Sequence, residues 1–79
     1  MDRSPQIILD LFLQRFMENS GRPANEQTQQ IITDEVMKLS ALLNSPDSST
    51  EYMAAASMLD GVTAGTTKIM VGDNKVLYK

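Results

Sequence analysis

Residues 7–17 read Ile-Ile-Leu-Asp-Leu-Phe-Leu-Gln-Arg-Phe-Met and hold both phenylalanines of the chain. A run this apolar must bury at least one side, and its helical spacing says which. At about 100° per residue, Ile8, Leu9, Phe12, Leu13, Phe16 and Met17 form one broad face. Ile7 and Leu11 fall outside it, one turn apart, among Asp10, Gln14 and Glu18. The stretch therefore predicts a helix that is apolar on more than one side. The broad face belongs to the core. The Ile7/Leu11 strip is covered either by this chain or by another, and any functional reading turns on which.

The ends of that helix are written in the sequence. Ser4 is a good N-cap, and Pro5 fits the first helical position, where its missing N–H costs nothing. Asn19-Ser20-Gly21-Arg22-Pro23 supplies the stop. A second helix is expected from Asn25, again a capping residue, to Leu43. Its apolar face holds Ile31, Ile32, Val36, Leu39, Leu42 and Leu43, with Glu35 in the middle and Met37 on the opposite side. A turn follows at 44–48, and Ser48 with Glu51 matches a capping box. The third helix is expected over 49–60, with Tyr52, Ala55, Ala56 and Leu59 on one side and Gly61 as the left-handed residue after its end. Residues 62–66 read as a connector.

After the connector the apolar period changes from that of a helix to two. Residues 67–71 and 75–78 read as strands, with Asp73-Asn74 as the two-residue turn between them. That turn sets Val71 against Val76, Met70 against Leu77 and Ile69 against Tyr78. Ile69, Val71, Val76 and Tyr78 then share a face that must lie on the helices, since a lone hairpin is marginal in water. The expected fold class is α+β, mostly α: three helices over about 5–19, 25–43 and 49–60, then a C-terminal β-hairpin over about 67–78. All of it forms one small domain spanning 1–79.

Length and composition limit what such a domain can do. A chain of 79 residues has a small core, and chains of this size lean on disulfides, metals or association. There is no cysteine and no histidine. That removes disulfides, thiolate sites, the commonest transition-metal ligand and the usual general base. No cofactor, metal or catalytic residue is expected, and association is the staple that remains, so a homodimer is an expected form. The net charge is −3. Up to Asp60, nine acids face four bases, a balance of −5, whereas residues 61–79 carry one acid and three lysines, +2. An acidic surface opposes nucleic acid, because binding it needs clustered Lys and Arg to neutralise phosphates. No stretch reaches the length of a membrane span. The apolar run at 7–13 is interrupted by Asp10 and lacks a small-residue cleavage site, so it is not read as a signal peptide. A cytoplasmic protein is expected, and the lack of cysteine fits a reducing compartment.

Several local patterns have plainer explanations than chemistry. Glu35 on an apolar face could be an acid with a raised pKa, but a place at the edge of that face, or pairing with Arg15 or a tail lysine, is the simpler account. Residues 61–68 lack the Gly-Lys-Ser/Thr spacing of a phosphate loop and run from helix to strand instead of the reverse. Residues 47–51 are too short for a calcium loop.

Three helices followed by a hairpin resemble, in element order, the winged-helix DNA-binding domains. The resemblance covers most of the chain and implies a third helix in the major groove and a hairpin wing. It makes Lys68, Lys75 and Lys79 the candidate nucleic-acid contacts of an alternative reading, a winged-helix-like regulator. Helix 3 departs from that pattern: it carries Glu51 and Asp60 and no Lys or Arg. The reading preferred here is a non-catalytic protein–protein interaction module, self-associating or acting as a small accessory or inhibitory factor. Six methionines in so short a chain support it, since methionine suits adaptable contact surfaces. The candidate partner-binding residues are Ile7, Leu11, Met37, Met53 and Met58.

Overall fold

The computed structural model describes residues 3–44 and 50–79. Three helices, α1 (Pro5–Ser20), α2 (Glu26–Leu43) and α3 (Thr50–Ala64), precede strands β1 (Ile69–Gly72) and β2 (Lys75–Tyr78). The two strands pair antiparallel as a hairpin, so the fold is mostly α with a small sheet. The turn expected at 44–48 and the Ser48–Glu51 capping box lie outside the described residues, apart from Asn44 and Glu51 themselves.

The ends of α1 follow the sequence signals. Pro5 opens the helix, and Gly21 closes it in the left-handed region at φ 78°. The Gly21 N–H returns to the Met17 carbonyl at 2.8 Å. Asn25 caps α2, its side chain accepting from the Thr28 N–H at 2.8 Å. This satisfies one of the free donors of the first turn.

α3 corrects the sequence reading at its end. Gly61 does not stop the helix, which runs on to Ala64, and Gly65 takes the left-handed position at φ 81°. The Gly65 N–H bonds Val62 O at 3.2 Å and the Thr66 N–H bonds Gly61 O at 2.9 Å. These are the two bonds of a Schellman ending. Val62, expected in a connector, is wholly buried and continues the row of Ala55 and Leu59. Gly61 stays a glycine for a different reason: a Cβ there would collide with Oγ1 of Thr67. The chain turns back so closely over α3 that Thr67 donates its N–H to Gly61 O at 3.1 Å. β1 consequently begins at Ile69, two residues later than the period suggested.

The hairpin register is Ile69↔Tyr78, Met70↔Leu77, Val71↔Val76 and Gly72↔Lys75, as the Asp73-Asn74 turn requires. Both turn residues have positive φ, 53° and 61°, which Asp and Asn tolerate in the primed hairpin turns. Ile69 and Val76 are buried, and Val71 and Tyr78 pack partly buried against the core. β1 lies on α1 and β2 on α2.

Phe12, Ile8, Ile32, Leu59, Ile69, Val36 and Val62 are the largest fully buried side chains. Each contributes about 1.5–3 kcal/mol by leaving water. Three assignments to faces change. Met17 and Leu42, expected in the core, are 45% and 38% exposed. Leu11, expected on the outer strip, packs partly buried against the core. A third helix covers the second side of α1, and a helical wheel contains no such information.

Candidate functional site

The five candidate contact residues do not form one surface. Ile7 is 42% exposed, whereas Leu11 is drawn into the packing. The reason lies one turn further on. Arg15 shares the side of α1 that carries Leu11 and reaches the end of α3, its Nε donating to Val62 O and its Nη2 to Thr63 O, each at 2.9 Å. α3 therefore lies along that side. The same guanidinium meets Glu18 at 3.1 Å. A planar cation on the last carbonyls of a helix complements the negative end of its dipole. Met37 and Met53 are exposed on the outer sides of α2 and α3.

Met58 has neighbours of a useful kind. With Leu39 and Leu42 of α2 and Ala54 and Ala55 of α3 it lines a groove of about 320 Å³ between the two helices. Glu35, Lys38 and Glu51 lie at its rim. The alanines keep the floor low, and Leu42 stands half-exposed on one wall. Leu42 was assigned to the core on sequence grounds; its place at the edge of the apolar arc of α2 was the available signal.

Glu35 finds neither Arg15 nor a tail lysine. Its Oε2 accepts from the Tyr78 hydroxyl at 2.6 Å, and its Oε1 lies 3.9 Å from Lys38 Nζ. Tyr78 also meets Phe12 edge to face, with ring centroids 6.3 Å apart at 76°. One tyrosine thus joins β2 to α1 through its ring and to α2 through its hydroxyl. Burial pushes the Tyr78 hydroxyl above the usual tyrosine range, and the hydrogen bond to Glu35 and the carboxylate charge push it the same way. The recess beside Glu35, bordered by Asp34, Lys38 and Lys75, measures about 90 Å³. The pairing was open to inference: Glu35 on an apolar face and Tyr78 on the inner hairpin face each needed a polar partner.

Other polar contacts had no clear sequence signal. Ser40 is buried, and Asn44 donates to its carbonyl and hydroxyl oxygens at 2.8 and 3.1 Å. Arg3 donates to the Tyr52 hydroxyl at 3.3 Å, tying the chain start to α3. Asn19 donates to Ile69 O at 3.2 Å.

The lysines of the alternative reading divide between the two ends of the hairpin. Lys68 and Lys79 exchange backbone bonds of 3.4 and 3.0 Å at its open end. Lys75 sits beside the turn, opposite Gly72. All three are exposed, as are Glu51 and Asp60 of α3. No helix among the described residues is long and apolar enough to cross a membrane. Compared with protein families, with curated proteins and with solved structures, the chain has no match.

Proposed function

We propose that the chain is a non-catalytic protein-interaction module that self-associates, serving as a small accessory or regulatory factor in the cytoplasm. The observation that carries this reading is the α2–α3 groove, in which Leu42, Ala54 and Met58 leave an apolar strip open between two helices. The occupant we infer is a second copy. A 79-residue chain has a small core, and association is how such chains commonly add buried apolar area. A two-fold pairing sets the same strip against itself, apolar on apolar, and needs no complementary surface elsewhere. Nucleic acid suits the surface less well. α3 exposes acids where a reading helix needs donors, and the three hairpin lysines are too few and too dispersed for a phosphate footprint.

Sedimentation of the full chain from micromolar to millimolar concentration tests the reading. A dimer is expected, and Leu42→Asp with Ala54→Asp is expected to leave a folded monomer with unchanged helical circular dichroism. A monomer throughout that range overturns self-association. A dimer indifferent to both substitutions overturns the groove as its interface.

A further inference from the structure

The hairpin has two edges, and the outer edge of β1 is built unlike an ordinary exposed strand. Lys68 and Lys79 exchange both backbone hydrogen bonds. In an antiparallel pair, bonded and non-bonded positions alternate, so Met70/Leu77 and Gly72/Lys75 are also bonded pairs. Ile69 and Val71 therefore turn their N–H and C=O groups outward, away from β2. At Ile69 the side-chain amide of Asn19 supplies one donor, at 3.2 Å. It stands where the N–H of an added strand would stand. No hydrogen bond from the described residues reaches the outward N–H or C=O of Val71.

Beside this edge runs a groove of about 210 Å³, walled on its far side by the last turn of α1 and the chain just after it. Phe16, Met70 and Val71 give it an apolar lining above the fully buried Ile69, and Arg22 stands at its rim. No acidic side chain among the described residues lies within ion-pair distance of Arg22. A strand edge with open backbone groups, an apolar trough and one unmatched guanidinium call for an extended chain with an apolar residue and a carboxylate. The chain's own strands do not meet this description: Ile-Met-Val-Gly and Lys-Val-Leu-Tyr contain no acid.

We propose that the outer edge of β1 adds an extended segment of a different protein. The segment bonds Val71 through its backbone, places an apolar side chain against Phe16 and Val71, and sets an Asp or Glu carboxylate on Arg22. This site is separate from the α2–α3 groove and stands or falls independently of self-association there.

The test is selection of a displayed library of random dodecapeptides on the full chain, followed by amide exchange with a synthetic copy of the enriched sequence. Enrichment of alternating apolar sequences bearing an acid is expected, with about tenfold or greater slowing of exchange at the Val71 amide. Arg22→Glu, at an exposed position, should weaken binding about tenfold or more while leaving the exchange pattern of the free protein intact. Asn19→Ala, which frees the Ile69 carbonyl for the incoming strand, should leave binding equal or tighter. Four results would overturn the proposal. They are no enrichment, enriched peptides indifferent to Arg22→Glu, protection confined to α2 and α3, and Val71 protection that rises with protein concentration in the absence of peptide. The last would show a second copy on the edge.

Discussion

Tyr78 donates its hydroxyl proton to the Glu35 carboxylate across 2.6 Å, joining the last strand of the chain to the middle of α2. With the Phe12 ring against its own, Tyr78 is the point where hairpin, α1 and α2 meet. Removing the hydroxyl leaves the carboxylate with Lys38 at 3.9 Å as its only ion-pair partner among the described residues. Tyr78→Phe is expected to cost about 1.5–3 kcal/mol in urea unfolding, the range for hydrogen bonds to charged groups. A loss below about 0.5 kcal/mol would show that water replaces the bond.

The same pair sets a direction for alkaline pH. In the unfolded chain Tyr78 gives up its proton near pH 10.0, the ordinary tyrosine value, whereas in the fold it holds the proton to higher pH. The folded state then binds more protons, so stability present below pH 10 is lost as pH rises above it, by at most about 1.4 kcal/mol per pH unit. Urea midpoints between pH 9 and 11.5 should fall more steeply in the native chain than in Tyr78→Phe. Parallel curves would contradict the assignment.

Ile7 and Leu11 should part company on substitution. Leu11→Asp places a charge in packing between α1 and α3 and should cost about 2 kcal/mol or more. Ile7→Asp, at a 42% exposed position, should stay within about 0.5 kcal/mol. Equal effects on thermal unfolding would return Leu11 to the surface.

Arg15 is expected to be specific as well as stabilising. Arg15→Met loses two bonds to the end of α3 and should cost about 1–2 kcal/mol. Arg15→Lys should recover less than half, because an ammonium lacks the planar fork that serves two adjacent carbonyls. Faster amide exchange in the last turn of α3 is the local readout.

Gly61 offers a double-mutant cycle. In a free helix, Gly→Ala gains about 1 kcal/mol. Here the new methyl meets the Thr67 hydroxyl, so Gly61→Ala should destabilise. With Thr67→Ala also present the penalty should shrink or change sign, giving a coupling energy of about 1 kcal/mol or more. Additive effects would mean the backbone simply shifts.

What the sequence determined by itself is local. Ser4-Pro5, Gly21 and Asn25 delimit helices because their preferences act within one turn. Asp73-Asn74 fixed the hairpin register because two adjacent positive-φ residues leave the strands one way to pair. Ile32, Val36, Leu39 and Leu43 of α2 and Ala55 and Leu59 of α3 were legible as periodic spacing, whereas buried Ser40 and Val62 were not. Tertiary structure decided what depends on a neighbour. Leu11 is inside because α3 lies along it, and Met17 and Leu42 are outside because the core ends before reaching them. Position 61 takes a glycine inside α3 because the returning chain at Thr67 occupies the place of a side chain. The groove between α2 and α3 and the open edge of β1 belong to that second kind. Period and propensity say which residues want burial, but only the packing of other elements says which of them were left without it.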